Sequence, residues 1–380
     1  MIELKGKQIS FTSRPGMPRR RKARRLVELS FRCALLTSLF YSAPVVRAQQ
    51  EPQEIRFGVL GLFHPRELVL EQSGGQVISI VRGEHAGAST LVLDGEPGRR
   101  QVVFRVEADR VIAGDKSATS WAAAARNGGS VALRLSVPAK VHRLYWGRIT
   151  IRAHNDELEA VVSIDRETAV ASIVSAEMDE STPVEALKAQ AVATRSFLAA
   201  GARHTDFDFC DSTHCQFLKS PPRSNSRVCN AVQATRGLII QYRGRPLAAQ
   251  YSSRCGGHTR SLSDVHLHPG DGYPYYSVPC LWCRQHPFVW RSRIGSSGHA
   301  PGSDDETRRI AEARQWGWSA IPSSDFTATQ DGSGWQLEGH SVGHGIGMCQ
   351  HGAAGMANSG AGFREILDHY YPNTTLALEP

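Results

Sequence analysis

The sequence predicts an α+β protein in which a β-rich region precedes a mixed region of helices and strands. Between residues 49 and 165, short apolar runs alternate with turn residues such as Asn127-Gly128-Gly129, a pattern typical of strands. From Ala169 onward, apolar residues recur at helical spacing. Hydrophobic residues make up 41% of the 380, which is enough for one large core or two modest ones. We therefore expect a β-rich accessory region over 49–165 and a mixed α/β region over 166–380.

The first 48 residues have the layout of a secretory signal. A basic run at 19–25 is followed by an apolar stretch at 33–41 and then by Val46-Arg47-Ala48, a cleavage site ending in a small residue. The apolar stretch is short for a membrane span. The sequence therefore predicts export to the periplasm or cell envelope, with no stable membrane span after cleavage.

The formal net charge of +8 comes from that leader segment. Residues 1–48 contain 11 of the 44 Lys and Arg residues and 2 of the 36 Asp and Glu residues, so the rest of the chain is close to neutral. Binding to a phosphate backbone needs clustered cations on the folded protein. The composition therefore argues against a nucleic-acid partner.

Apolar runs in the β-rich region predict its strands. The predicted strands are Ile55–Leu62, Val77–Val81, Thr90–Leu93, Gln101–Val106, Val131–Ser136, Leu144–Ile151 and Leu158–Ile164. This part of the sequence contains no recognisable catalytic constellation.

The second region opens with two predicted helices. Residues 169–178 are apolar and compatible with a short helix. Thr182 as N-cap, Pro183 at the first helical position and Glu185 three residues after the cap then predict the start of a helix over 183–202.

Further along the chain, the patterns predict a hairpin and another helix. Gly237–Tyr242 and Pro246–Ser252 are the expected strands of the hairpin, joined through Arg243-Gly244-Arg245. A connection rich in Gly and Ser over 295–305 precedes a helix predicted over 305–316.

Several segments are too particular to be explained by packing alone. They are residues 175–178 (SAEM) with 183–192 (PVEALKAQAV), 249–257 (AQYSSRCGG) and 343–352 (GHGIGMCQHG). In this order they resemble the stage II sporulation protein D/LytB (SpoIID/LytB) family, and the sequence ILDHYYP at 366–372 also fits. The resemblance covers residues 55–380.

The resemblance implies a lytic transglycosylase-like enzyme that cleaves denuded MurNAc-GlcNAc strands of peptidoglycan in a groove of the mixed region. The family's acid/base glutamate matches Glu177, although Asp179 replaces the Pro of its Glu-Met-Pro motif. From the residues alone, breaking a glycosidic bond needs a carboxylic acid that protonates the leaving oxygen. Glu177 ends an apolar segment, where burial would raise its pKa. The alternative is a solvated carboxylate at a helix end.

The glycine-rich segment around His344 is the candidate substrate-binding loop. Three glycines and an imidazole suit a tight loop whose backbone approaches a ligand closely. The resemblance implies that the cleft is lined by His344, Gly345, Gly347, Gln350, Tyr251 and Ser252. The alternative is that the glycines serve turns and that His344 is a satisfied polar residue.

Cysteine and histidine residues form a first candidate metal site. Thiolate and imidazole groups are ligands that structural zinc prefers in a tetrahedral set of four. The four candidates are His204, Cys210, His214 and Cys215. Some members of the resembled family look similar here and bind zinc, so a structural zinc is expected, although catalysis itself requires no cofactor.

A second candidate set lies further along the chain and consists of Cys255, Cys280, Cys283 and His286. Neither set has a double Cys-x-x-Cys spacing, so disulfides or free thiols in an oxidising compartment are the alternative for both. Cys349 has no identifiable activating base, which disfavours a cysteine-nucleophile enzyme.

Two rival functions remain open from the sequence. One is a non-catalytic amidase enhancer that binds wall glycan or an N-acetylmuramoyl-L-alanine amidase. The other is a zinc hydrolase, whose turnover would depend on metal. The partners expected are therefore peptidoglycan strands and a cell-wall amidase.

Overall fold

A computed structural model describes the following residues: 53–83, 91–266, 272–295, 300–302 and 305–379. Residues 50–380 cluster into one compact unit. The predicted signal segment at 1–48 lies outside the described residues. Among the described residues, no helix is long and apolar enough to cross a membrane.

The β-rich region contains strands from residue 54 to residue 165. They are β1 Glu54–Val59, β2 Glu67–Gln72, β3 Ile78–Arg82, β4 Leu91–Leu93, β5 Gln101–Glu107, β6 Arg110–Ala113, β7 Lys116–Ala118, β8 Ser120–Ala125, β9 Val131–Val137, β10 Val141–His154 and β11 Glu157–Asp165. In β5 and β9, buried apolar residues alternate with more exposed ones, as a half-buried strand requires. A 3₁₀ turn lies at Gly61–Phe63.

These strands form one large curled sheet with β12 (Phe209–Cys210), a strand from the later part of the chain. Its order is β12-β1-β11-β10-β9-β2-β5-β6-β7, and β3, β4 and β8 extend it from β10. The pairing of β1 with β12 is parallel, whereas β1 and β11 run antiparallel. Because β12 joins this sheet, the cysteine at its end is fixed against β1.

The helical part begins directly at the end of the sheet. Asp165 closes β11 and caps helix α1 (Arg166–Glu177), where its side chain accepts a bond from Thr168 N at 3.0 Å. Helix α2 (Val184–Ala199) is buried along nearly its whole length and rich in alanine, which lets neighbouring helices approach closely. It packs against α1 and against several elements that follow it in the chain.

The remaining elements complete the mixed region. They are α3 Arg227–Ala234, β13 Leu238–Tyr242, β14 Arg245–Pro246, β15 Tyr251–Ser252, α4 Leu281–Gln285, β16 Trp290–Gly295, α5 Glu306–Trp316, β17 Phe326–Asp331, β18 Gly334–Gly339, β19 Met348–Cys349, α6 Gln350–Asn358, α7 Phe363–Tyr370 and β20 Thr375–Leu378. A second 3₁₀ turn lies at Ser263–Val265. The small sheets are β14-β13-β20, the parallel pair β15-β19, and β16-β18-β17.

The sheet β16-β18-β17 has an apolar cluster of its own with α5. Its buried members are Trp290, Ile294, Ala313, Ile321, Phe326 and Leu337. The main hydrophobic core includes residues of the large sheet and of helices α1, α2, α3, α6 and α7.

The α+β class is confirmed, and all seven predicted strands are present with small shifts of their ends. The predicted cap of α2 is wrong by one position, because Pro183 rather than Thr182 is the N-cap residue. The predicted hairpin is only half right: Arg243 (φ 51°) and Gly244 (φ 75°) do form its tight turn, but Tyr251–Ser252 pairs elsewhere. The boundary at residue 165 between two regions stays a prediction.

A buried arginine ties α2 to α1 and to β13. Arg195 is fully buried and donates to both carboxylate oxygens of Glu167 in α1, at 2.6 and 2.8 Å. It also donates to the carbonyl oxygen of Leu238 at 3.1 Å. Since one guanidinium satisfies groups on α1 and β13, its loss would leave several buried acceptors without a donor.

We expect Arg195→Met to lower the free energy of unfolding by about 3–5 kcal/mol, because it leaves the Glu167 carboxylate without its buried partner. Arg291→Ala is the control, since Arg291 bonds Glu338 on the exposed surface at 2.7 Å and such pairs contribute about 1 kcal/mol or less. Urea unfolding measures both. Equal effects of the two substitutions would contradict the structural role of Arg195.

Candidate functional site

The candidate acid, Glu177, is the last residue of α1, and its side chain is partly buried. The helix starts at the end of β11 and lies on the core, so its length determines where this carboxyl is placed. Burial raises the pKa of the Glu177 carboxyl above its ordinary value of 4.5. The Gln350 amide and the positive charge of Lys219 oppose this shift only in part.

The neighbouring Asp179 has no part in raising that pKa. It is exposed, and its carboxylate accepts bonds from the Ser181 hydroxyl and from Ser181 N at 2.7 Å, which lower its own pKa. Asp179, which replaces the Pro of the family motif, therefore does not raise the pKa of Glu177; burial does.

Gln350 connects Glu177 to the buried face of α2. Its Nε2 donates to Glu177 Oε2 over a long distance of 3.5 Å and lies 3.4 Å from Gln190 Oε1. Gln190 in turn donates to Thr194 Oγ1 at 3.3 Å. Because Gln350 and Gln190 are both buried, this chain of amides supplies hydrogen bonds to the carboxylate where water is scarce.

Tyr251 forms another wall of the site. Its hydroxyl donates a short hydrogen bond to Gln216 Oε1. Burial raises the pKa of Tyr251 well above its ordinary value, and the nearby charge of Glu177 raises it further. Tyr251 is therefore a neutral donor at physiological pH. Gln216 and Lys219 belong to no motif that sequence analysis singled out. The only sequence signal for them is that they follow Cys215 of the predicted metal set closely in the chain.

The parallel pairing of β15 with β19 brings the two predicted segments together. In its register Tyr251 lies opposite Met348 and Ser252 opposite Cys349, next to Gln350. At Gly347, a Cβ would come within 2.0 Å of the Gln250 carbonyl oxygen, so only glycine permits this pairing. At Gly345, a Cβ would contact the Arg260 side chain at 3.0 Å. Both glycines thus have packing roles within the protein.

The His344 ring is held by the backbone of its surroundings. Its Nδ1 accepts a bond from Ile346 N at 3.0 Å, and the backbone of Tyr251 also bonds the ring. Burial lowers the pKa of His344 below 6.5, so the ring is neutral at physiological pH. Ser252 is buried, and its Oγ has no hydrogen-bond partner among the described residues. Sugar binding by these two residues stays a prediction.

The first predicted metal set does converge in space. We call His204, Cys210, His214 and Cys215 the His/Cys cluster, and their ligand atoms all lie within 4.8 Å of one another. Cys215 Sγ lies 3.3 Å from His204 Nε2 and 3.3 Å from His214 Nδ1. A tetrahedral zinc with bonds of about 2.3 Å to sulfur and about 2.0 Å to nitrogen separates such atoms by about 3.5 Å. The cluster therefore fits one zinc ion.

The second predicted set needs a correction. His286 is exposed, stacks on Trp282 with ring centroids 3.8 Å apart, and is not in the cluster. Its place is taken by Cys349, whose Sγ lies 3.6 Å from Cys283 Sγ. We call Cys255, Cys280, Cys283 and Cys349 the tetracysteine cluster. The sequence pointed to His286 because it is near Cys283 in the chain, whereas Cys349 is 66 residues away.

The fold and the site define an α+β protein built around a partly buried glutamate at a helix end, with two ligand clusters that include cysteine. The sequence model described as stage II sporulation protein matches residues 154–242. These residues include Glu177 and the helices that hold it.

Known proteins extend this match over more of the chain. A protein of Brachyspira hyodysenteriae without a described function is 31% identical over 263 residues, which are 60% of this chain and 70% of that protein. The stage II sporulation protein D of Bacillus subtilis is 25% identical over 274 residues, 60% of this chain and 79% of its own length. The amidase enhancer of Bacillus subtilis is 23% identical over 290 residues, 54% of this chain and 39% of its own length. The chain belongs to the SpoIID/LytB family.

We expect Gln350→Met to raise the pKa of Glu177 further, because it removes the amide that stabilises the ionised carboxylate while keeping the site apolar. An NMR titration of ¹³C-labelled glutamate carboxyls, assigned with Glu177→Gln, measures the shift. Gln285→Met is the control, since Gln285 is an exposed glutamine at the end of α4. An unchanged or lower pKa in Gln350→Met would show that Gln350 does not govern the carboxyl.

Proposed function

We propose that this chain cleaves peptidoglycan glycan strands in the cell envelope as a lytic transglycosylase, with Glu177 as acid and base. The observation that carries the proposal is the raised pKa of a partly buried carboxyl with neutral amide and phenol groups around it. Such a carboxyl keeps its proton at a higher pH than an exposed one, as a general acid must. The family relationship and the amidase enhancer among the relatives support a role at the cell wall.

In the first step Glu177 donates its proton to the glycosidic oxygen, and the bond to the muramyl C1 breaks. In the second step the ionised Glu177 accepts the proton of the sugar's own 6-hydroxyl, whose oxygen attacks C1 and forms an anhydro ring. The Gln350 amide and the charge of Lys219 stabilise the ionised carboxylate between these steps. The glutamate ends the cycle protonated, so no outside acid or base is consumed.

This route needs one carboxyl rather than two. Hydrolysis through a glycosyl-enzyme requires a second carboxylate about 5 Å away, and inverting hydrolysis requires one about 6.5–9.5 Å away. The pKa of Glu177 is set by its burial, by the Gln350 amide and by the charge of Lys219. With the sugar's own 6-hydroxyl as nucleophile, Glu177 alone can serve as acid and base.

A second candidate function is that of an amidase enhancer, favoured by the similarity to the Bacillus subtilis protein of that name. Purified chain tested on denuded glycan, alone and with an N-acetylmuramoyl-L-alanine amidase on intact wall, separates the two. Cleavage of denuded glycan by the chain alone supports the enzyme. Stimulation of the amidase without such cleavage supports the enhancer.

We also propose a structural zinc in the His/Cys cluster. Cys210 is at the end of β12 and Cys215 directly precedes Gln216, the acceptor of the Tyr251 hydroxyl. Four ligands from the protein leave no open position for substrate. The zinc would therefore fix the segment that carries Gln216 and Lys219 and would take no part in the chemistry.

We expect Glu177→Gln to reduce the rate of glycan cleavage by about 10² to 10⁴, because an amide cannot donate the proton. The variant should be at least as stable as the wild type at neutral pH. Because the pKa of Glu177 is raised in the folded state, ionising this carboxyl makes the folded protein less stable as the pH rises. An amide at this position does not ionise. Asp179→Asn is the matched control, because Asp179 is an exposed carboxylate two residues away. Release of soluble glycan and thermal unfolding measure both effects. Full turnover in Glu177→Gln would refute the assignment.

We expect His204→Ala to lose one zinc ion per chain and to unfold at a lower temperature, while the folded fraction keeps glycan cleavage within about tenfold of wild type. His142→Ala, an exposed histidine on β10, should change neither property. Metal analysis, calorimetry and turnover per folded molecule check this. Turnover that is abolished in His204→Ala and restored in proportion to added zinc would favour a zinc hydrolase instead.

A further inference from the structure

We infer that the tetracysteine cluster is a second zinc site, formed by a single ion bound to four thiolates. The Sγ atoms of its four members all lie within 4.8 Å of one another. Cys283 Sγ and Cys349 Sγ are separated by 3.6 Å. A tetrahedral zinc with sulfur bonds of about 2.3 Å separates its ligands by about 3.8 Å. The observed spacing is therefore that of one shared ion.

The cluster joins segments that are distant in sequence. Cys255 follows β15, Cys280 and Cys283 are at the start of α4, and Cys349 is both the end of β19 and the N-cap of α6. Each cysteine is at most 5% exposed. Four buried sulfurs that converge on one point from three separate segments are the pattern of a closed structural site, in which no position is left for substrate.

The groups around the sulfurs suit bound thiolates. Gly352 N donates to Cys349 Sγ at 3.3 Å, at the N-terminus of α6, where negative charge is stabilised. The Tyr370 hydroxyl donates to Cys280 Sγ at 3.5 Å. Hydrogen bonds of this kind hold metal ligands in position and balance their charge.

Helix α6 packs closely against the residues of the cluster. At Gly352 a Cβ would lie 2.5 Å from Cys280 Sγ and 2.0 Å from the Tyr370 oxygen. At Gly355 a Cβ would lie 2.4 Å from the Trp282 ring. The Cys-x-x-Cys turn therefore fits directly onto α6, and glycine is required at both positions of that helix.

Two other uses of four cysteines fit this geometry less well. Two disulfides would divide the sulfurs into separate pairs at about 2.05 Å, whereas here each sulfur is near all three others. An iron–sulfur cluster binds each thiolate to iron atoms of an extended core and so places the thiolates further apart than a single ion does. Four soft thiolates in a tetrahedron select zinc over hard cations.

The site also has a link to Glu177 through the chain itself. Cys349 directly precedes Gln350, whose Nε2 donates to the Glu177 carboxylate. An ion bound by Cys349 would thus hold the first turn of α6 in place. This consequence does not depend on the proposed glycan cleavage, because zinc binding is measured without any substrate.

The test is the zinc content of the full purified chain, determined by elemental analysis after desalting. We expect two zinc ions per chain in the wild type and one in Cys280→Ser/Cys283→Ser. Cys229→Ser is the matched control, since Cys229 is a half-buried cysteine of α3 outside both clusters, and it should keep two. His204→Ala/Cys210→Ser leaves the tetracysteine cluster intact. With cobalt, this variant should show the absorption of a tetrahedral ion with four thiolate ligands.

Three results would overturn the inference. The first is a zinc content that Cys280→Ser/Cys283→Ser does not reduce. The second is a disulfide between any two of the four cysteines, found by non-reducing peptide mapping of the wild type. The third is the absence of a four-thiolate cobalt spectrum in His204→Ala/Cys210→Ser. The last two measurements leave the tetracysteine residues unchanged, so they apply even where the serine variant does not fold.

Discussion

The partial burial of the Glu177 carboxyl is the constraint on which the rest of the site depends. A carboxyl in water would ionise near its ordinary pKa of 4.5, whereas burial at the end of α1 raises that pKa. The burial requires the start of α1 to be fixed. Asp165 caps that start at the end of β11, and Arg195 binds Glu167 in the first turn of the helix. The sheet thus contributes to function by fixing where α1 begins.

The two glutamines near Glu177 each follow a cysteine of one of the two clusters directly in the chain. Cys215 directly precedes Gln216, which accepts the Tyr251 hydroxyl, and Cys349 directly precedes Gln350, which donates to Glu177. In each case a glutamine of the site follows a cysteine of a cluster. Both segments are loops or very short strands with little secondary structure to keep them in place. Metal binding is a physical means of giving such segments a single conformation.

Local patterns predicted seven of the eleven strands β1 to β11, because alternating burial leaves a period of two in the sequence. They missed the short strands β6 and β7, as well as β2 and β8. The alanines of β8 have little preference for strands. The sequence motifs identified Glu177 and the glycine loop, but the packing reason for Gly347 depends on the pairing of β15 with β19. The presence of Cys349 rather than His286 in the tetracysteine cluster could not be predicted either, since it arises from contacts between distant segments.

The measurement that tests the central claim most directly is mass spectrometry of the products formed from denuded glycan strands by the purified chain. If Glu177 acts as both acid and base with the sugar's own hydroxyl as nucleophile, the new muramyl ends are anhydro ends, and Glu177→Gln forms almost none. Ordinary reducing ends would contradict the transglycosylase chemistry. Anhydro ends formed equally by wild type and Glu177→Gln would contradict the role of this glutamate.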